Sequence, residues 1–163
     1  MAEAAPDRPA RPIGSALLGP VPLAAVALLL LNDQVLKAAY PGWLTGKLSD
    51  FAGLAFFPLF LQALWELWRP RPSRRALLVC VLATGAVFAL VKTTGPGITA
   101  YRIGLAALQW PLLASFDLLR GQGAGALAPV QAVRDPSDLL ALPMLGVAWA
   151  VGRRRLERAA HHE

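Results

Sequence analysis

Residues 41–57 read PGWLTGKLSDFAGLAFF, a stretch that opens like a phosphate-binding loop and closes like a membrane span. A Walker loop requires G-x-x-x-x-G-K-[ST], whose amides wrap the phosphates while its lysine reaches them and its hydroxyl holds Mg²⁺. Here Gly42 stands one residue too close to Gly46, and Leu48 occupies the hydroxyl position. A strand should lead into such a loop, yet Pro41-Gly42 follows an apolar run instead. The mouth of a transmembrane helix explains the same residues better. Pro41-Gly42 turns the chain, and Ser49 or Asp50 is placed to accept hydrogen bonds from the unpaired amides that open a helix. A carboxylate there complements the positive end of the helix dipole, and Lys47 can snorkel to the headgroups. The stretch predicts a span beginning near Phe51, and no nucleotide site.

Composition agrees. Of 163 residues, 56% are hydrophobic and 16% charged, whereas a soluble domain carries about 25% charged residues. The apolar runs are too long, and too poor in polar periodicity, for helices with one wet face. The net charge of +6 sits at the ends of apolar runs rather than along one helix face. That is the pattern of topology signals and gives no reason to expect nucleic acid. Cys80, the single cysteine, excludes an intrachain disulfide, and the only histidines are His161 and His162 at the C-terminus. Haem ligation and a histidine-rich zinc site within the membrane are therefore not expected. With no HExxH, no GxSxG and no Ser–His pair in the spans, the sequence calls for no metal and no cofactor.

The chain reads as all-α, a single integral membrane domain (residues 13–152) of four spans at about 13–31, 51–68, 76–92 and 138–152. A disordered tail, 1–12, precedes them and a basic tail, 153–163, follows. Pro20 and Pro22 are expected to bend the first span or make its beginning irregular, and Pro58 to kink the second. A cleaved signal peptide is the alternative for the first run, but no small-x-small site directly follows it. Residues 103–119 are expected to form a helical pair broken at Trp110-Pro111, re-entrant or lying on the outer leaflet. The last run, Leu139–Val151, reaches only about 20 Å, so it must begin nearer Asp135 or sit in thinned bilayer.

Arginine sets the orientation. Both termini inside places Arg8 and Arg11, then Arg69, Arg71, Arg74 and Arg75, then Arg153, Arg154, Arg155 and Arg158 in the cytoplasm. The competing five-span threading, with 103–119 crossing, would put the C-terminal arginines outside and split the basic residues evenly.

The outer ends of these spans collect Asp33, Lys47, Asp50, Lys92 and Asp138, the candidate residues for any chemistry. Bundling would bring Asp33, Asp50, Lys92 and Asp138 together. Such a cluster acts either as structural pairing across helix mouths or as a grip for a lipid phosphate with a general base. Within the second span Asp50, Leu54, Pro58, Gln62 and Glu66 recur at i+4, a stripe facing the bundle. Its polar members read either as a proton path or, more simply, as a Gln62 interhelical bond and a Glu66–Arg69 pair. Cys80, Thr84 and Lys92 share a face of the third span. KLSDFAGLAFFP and RDPSDLLALP echo one another, each with a basic residue, Ser-Asp and a proline-bearing apolar run. Duplication and convergent helix capping both explain this.

Residues 32–54, NDQVLKAAYPGWLTGKLSDFAGL, together with RDPSDLLALP, resemble a group of small polytopic bacterial membrane proteins. The resemblance implies only a polytopic bacterial membrane protein and transfers no activity and no functional residue; the expected location is the cell (inner) membrane. The leading expectation is a non-enzymatic structural or accessory component whose partners are the lipid bilayer and either a second copy or another membrane protein. The alternatives are a lipid head-group-binding protein or envelope enzyme using the outer Asp/Lys cluster, and a small oligomeric transporter using Gln62 and Glu66.

Overall fold

The computed structural model describes residues 14–40, 42–69, 73–123 and 125–160. The expected tails, Pro41, Arg71 and both histidines lie outside the described residues, the C-terminal tail from residue 161 onward. The described chain is helical and divides into two compact units, 1–84 with 141–163, and 85–140.

In the first unit a 3-10 turn, Ser15–Leu18, leads into α1, Pro20–Ala39. Pro20 and Pro22 fall at the start of the helix, directly after the 3-10 turn, so the irregular beginning is found and not a bend within the span. At the first and third helical positions a missing N–H costs nothing, because those amides have no intrahelical acceptor. The span therefore shifts from 13–31 to Pro20–Ala39, carrying Asp33 from an outer loop into the helix. At Asn32–Leu36 the helix widens into a π turn, a local form that redirects side chains and concentrates at functional positions.

Helix α2 runs unbroken from Trp43 to Trp68 through the expected kink site, Pro58. Its mouth lies earlier than the sequence suggests. The Gly42 N–H donates to Thr45 Oγ1 at 3.2 Å, and that hydroxyl donates in turn towards the carbonyls of Gly42 and Tyr40 (2.9 and 3.1 Å). Thr45 thus caps the helix, so Ser49 and Asp50 are interior residues and not its N-cap. At 26 residues the helix is about 39 Å long, enough to cross a hydrocarbon core of about 30 Å and protrude. Four of the five stripe residues, Leu54, Pro58, Gln62 and Glu66, are buried, as their spacing predicts.

Helix α3, Arg74–Thr93, begins in this unit with Ser73 as its cap: Ala76 N–H donates to Ser73 Oγ at 3.3 Å. Helix α5, Met144–Ala160, returns to it. Small residues make the close contacts that van der Waals packing in a membrane needs. Ala25 meets Ala52 and Ala55 between α1 and α2, with Met144 of α5 against them. Leu59, Leu77, Val81 and Ala148 form a second cluster. Gly152 leaves room for Leu77, whose methyl carbons would stand 2.7 Å from an added Cβ.

These contacts fix directions within the unit. Ser15 Oγ and Glu66 both bond Arg155, while Asn32 bonds Thr45 and Ser49. Helix α1 is therefore antiparallel to α2, and α5 parallel to it. The start of α1, the end of α2, the start of α3 and the arginines of α5 gather at one end.

In the second unit Thr94 caps α4, Gly95–Leu119, accepting from Gly97 N–H at 3.1 Å. No break occurs at Trp110-Pro111; one helix of 25 residues passes through Pro111. After Leu119 the chain doubles back along α4. Trp110 Nε1 donates to the Gly125 carbonyl (2.8 Å), and Arg102 Nε donates to the Val130 carbonyl (3.0 Å). A 3-10 helix, Pro136–Ala141, follows. The two Ser-Asp pairs of the echo differ in local structure: Ser49-Asp50 sits inside an α-helix, and Ser137-Asp138 in this 3-10 turn.

Among the described residues three helices are long and apolar enough to cross a membrane: Pro20–Ala39, Trp43–Trp68 and Arg74–Thr93. The expected fourth, 138–152, is divided by the turn at residues 142–143, and its helix then carries Arg153, Arg154 and Arg155. Its apolar length is correspondingly short.

Candidate functional site

Polar side chains concentrate at two ends of the first unit. At the α1–α2 mouth, the π turn carries Asn32 into the interface, where it is fully buried. Its Nδ2 donates to the Thr45 carbonyl and to Ser49 Oγ, both at 2.7 Å. Ser49 Oγ donates onward to Asp33 Oδ1 at 3.0 Å, and the same oxygen receives Lys37 Nζ at 2.6 Å, one turn along the helix. Lys47 is buried, with its ammonium 4.7 Å from the Trp43 ring centroid, a position that replaces lost hydration with the face of the ring. Asp50 is partly buried two turns into α2. Asn32 Oδ1 is buried without a partner among the described residues.

At the opposite end Glu66 is 4% exposed, which would be costly for a lone carboxylate. Arg155 answers it with a two-pronged bond, Nη1 to Oε1 at 2.7 Å and Nη2 to Oε2 at 2.9 Å. This planar fork is the strongest of protein ion pairs. Gln62 Nε2 adds a third donor to Oε1 at 3.2 Å, and Arg155 Nε reaches Ser15 Oγ at 3.2 Å. The expected Glu66–Arg69 pair is therefore corrected. Arg69 points elsewhere, its guanidinium 5.7 Å from the Trp65 ring centroid. Adjacency in sequence suggested Arg69, but the carboxylate faces the bundle, where a residue 89 positions away is the neighbour.

In the second unit Lys92 Nζ lies 2.6 Å from Asp138 Oδ2, the lysine partly buried and the carboxylate buried. Asp135 Oδ1 accepts from the Ser137 N–H and hydroxyl, closing the turn that presents Asp138. The sequence brought Asp33, Asp50, Lys92 and Asp138 into one cluster. The structure joins Lys92 to Asp138, and gives Asp33 to Ser49 and Lys37. Thr84, on the face shared with Cys80 and Lys92, turns its hydroxyl back onto the Cys80 carbonyl at 2.7 Å.

Compared with protein-family models, with curated proteins and with solved structures, the chain matches none. Chemistry must therefore be read from the side chains. Among the described residues no group of three or more His, Cys, Asp or Glu side chains is placed to hold a metal ion.

Two features escaped the sequence. Asn32 is one polar residue at the edge of an apolar run, and only the π turn makes it central; nothing local in the sequence signals such a turn. The other is a cleft of about 760 Å³ between the end of α2 and the start of α3, bordered by Trp65, Trp68, Arg69, Ser73 and Arg75. Its signal was present, since Trp65 and Trp68, residues suited to a headgroup boundary, stand directly before the arginines at 69, 71, 74 and 75.

Proposed function

We propose that this chain is a multi-pass component of a bacterial cell membrane, with both termini cytoplasmic, that works through its helix surfaces and not as an enzyme. The observation that carries this reading is the engagement of its ionisable candidates. Asp33 is held by Lys37 and Ser49, Lys92 by Asp138, Glu66 by Arg155, and Lys47 lies over Trp43. A general base or phosphate grip needs groups free to meet substrate. Groups already satisfied by neighbours offset the cost of charge near lipid, which is structural work. The outward faces fit the same reading: Leu30, Phe57, Leu64, Leu82, Val87 and Leu90 are all at least 40% exposed, apolar surface that lipid or a membrane partner would cover.

For orientation, the support is the single basic end of the first unit. Arg69, Arg74, Arg75 and the α5 arginines share it with the start of α1, as positive-inside threading requires. Because α5 runs parallel to α2, the four-pass reading makes it a fourth, shorter crossing. Reporter fusions at the C-terminus test this. A cytoplasmic fluorescent fusion should glow and a periplasmic phosphatase fusion should stay inactive; the reverse pattern would overturn the orientation. For the non-enzymatic reading, alanine at Asp33 or Asp138 should lower folded yield in detergent. Full folded yield with loss of a lipid-dependent phenotype would favour the envelope-enzyme alternative.

A further inference from the structure

The cleft between α2 and α3 holds something the polar clusters lack, cations without carboxylates. Arg155 is matched by Glu66, Lys37 by Asp33 and Arg153 by Glu157. Arg69 and Arg75 border the cleft, and neither makes an ion pair among the described residues. Two unmatched guanidinium groups at the mouth of a cavity select for an anion.

The rest of the lining says which anion. Trp68 stands 88% exposed and Trp65 47%, with Arg69 over the Trp65 ring. Indoles settle at the headgroup level of a bilayer, apolar body inward and N–H outward. Beyond the arginines the wall turns apolar along α3 through Val79, itself 63% exposed. The cleft volume, about 760 Å³, lies within the range of roughly 300 to 1,000 Å³ usual for small-ligand sites. A soluble anion would satisfy the arginines and leave the indoles and Val79 uncovered. A lipid with a charged head and hydrocarbon tail covers both, and basic recesses between membrane helices are known to suit such heads.

We propose that this cleft binds an anionic glycerophospholipid, its phosphate between Arg69 and Arg75 and its acyl chain along the Val79 face of α3. The proposal rests on the membrane reading above and concerns the basic end, away from the Asp33–Asn32 mouth.

The test uses the full chain purified in an uncharged detergent, titrated with short-chain phosphatidylglycerol or with phosphatidylcholine of the same acyl length. Retained lipid is read by native mass spectrometry, and occupancy by tryptophan fluorescence. Phosphatidylglycerol should be retained in preference. Arg69→Gln with Arg75→Gln should weaken it about twenty-fivefold, roughly fivefold for each charge. Arg154→Gln with Arg158→Gln, which removes equal charge from the exposed face of α5, should leave retention unchanged. Should the double variant fold poorly, Arg75→Glu alone, at an exposed position, is expected to abolish the preference. Equal retention of both lipids, equal loss in the α5 pair, or full competition by inorganic phosphate would each overturn the proposal. A chain soluble without detergent would instead overturn the membrane reading, so the two failures are separable.

Discussion

The two compact units hold themselves together by different means. In the first, buried polar side chains bind helices that are distant in sequence: Asn32 to Ser49, and Glu66 to Arg155, with alanines and Gly152 allowing close approach. In the second, α4 buries little beyond Ala106 and Ala114, and side chains pin an irregular return segment through its backbone carbonyls. A bundle interior without water leaves polar groups no alternative partner, so each pair there restrains two helices. The Lys92–Asp138 pair apart, the bonds that hold this return segment lie at exposed or partly buried positions, where water competes. The first unit should therefore fail cooperatively and the second locally.

Four substitutions probe that contrast, beginning with the largest effect. Glu66→Ala leaves the Arg155 guanidinium facing a buried void, and should cost about 3 to 5 kcal/mol, the range for breaking a buried pair. Chemical unfolding in detergent should register it as an earlier transition of the whole unit. Glu66→Gln combined with Arg155→Met removes both charges and should recover most of the loss. Little loss in the Ala variant would mean that this contact does not join α5 to the bundle.

Next comes Asn32→Ala, which removes two bonds of 2.7 Å at a fully buried position and should cost about 2 kcal/mol. The same unfolding assay applies, and hydrogen exchange should quicken in both α1 and α2. Exchange confined to the π turn would show that Asn32 is only a local device.

Gly152→Ala is a smaller perturbation of the same interface. The added methyl would meet both Leu77 methyl carbons at 2.7 Å and Leu59 Cδ2 at 3.2 Å. Overpacking of this kind costs about 1 to 3 kcal/mol, and Leu77→Ala in the same chain should relieve part of it.

The smallest effect is expected in the second unit. Trp110→Phe deletes the donor to the Gly125 carbonyl and should cost about 1 kcal/mol or less. Amide exchange should rise across residues 122–130 while α1 and α2 stay protected. A shift of the main unfolding transition would dissolve the distinction between the units.

Much of this was legible in the chain. The burial of Leu54, Pro58, Gln62 and Glu66 follows from i+4 spacing on one helix, because periodicity alone dictates which residues share a face. The second and third apolar runs do form long helices, since hydrocarbon demands that backbone hydrogen bonds be made within any apolar run, although the second begins at Trp43 and not near Phe51. Partners were harder. Glu66 was assigned to nearby Arg69, because sequence distance is the only distance a sequence contains, and the true partner comes from another helix. Ser-Asp as a helix cap was reasonable locally, but Thr45 had already taken that role four residues earlier.

Residue order by itself settled that this is a helical chain, with apolar runs too long for a wet surface and arginine gathered at their ends. Those are properties of single segments in contact with solvent, and solvent acts on each segment separately. The identity of each charge's partner, the turn that buries Asn32, and the cleft at Arg69 and Arg75 were decided by the tertiary structure. They depend on which helix faces meet, and that is a choice made by packing among segments far apart in the chain.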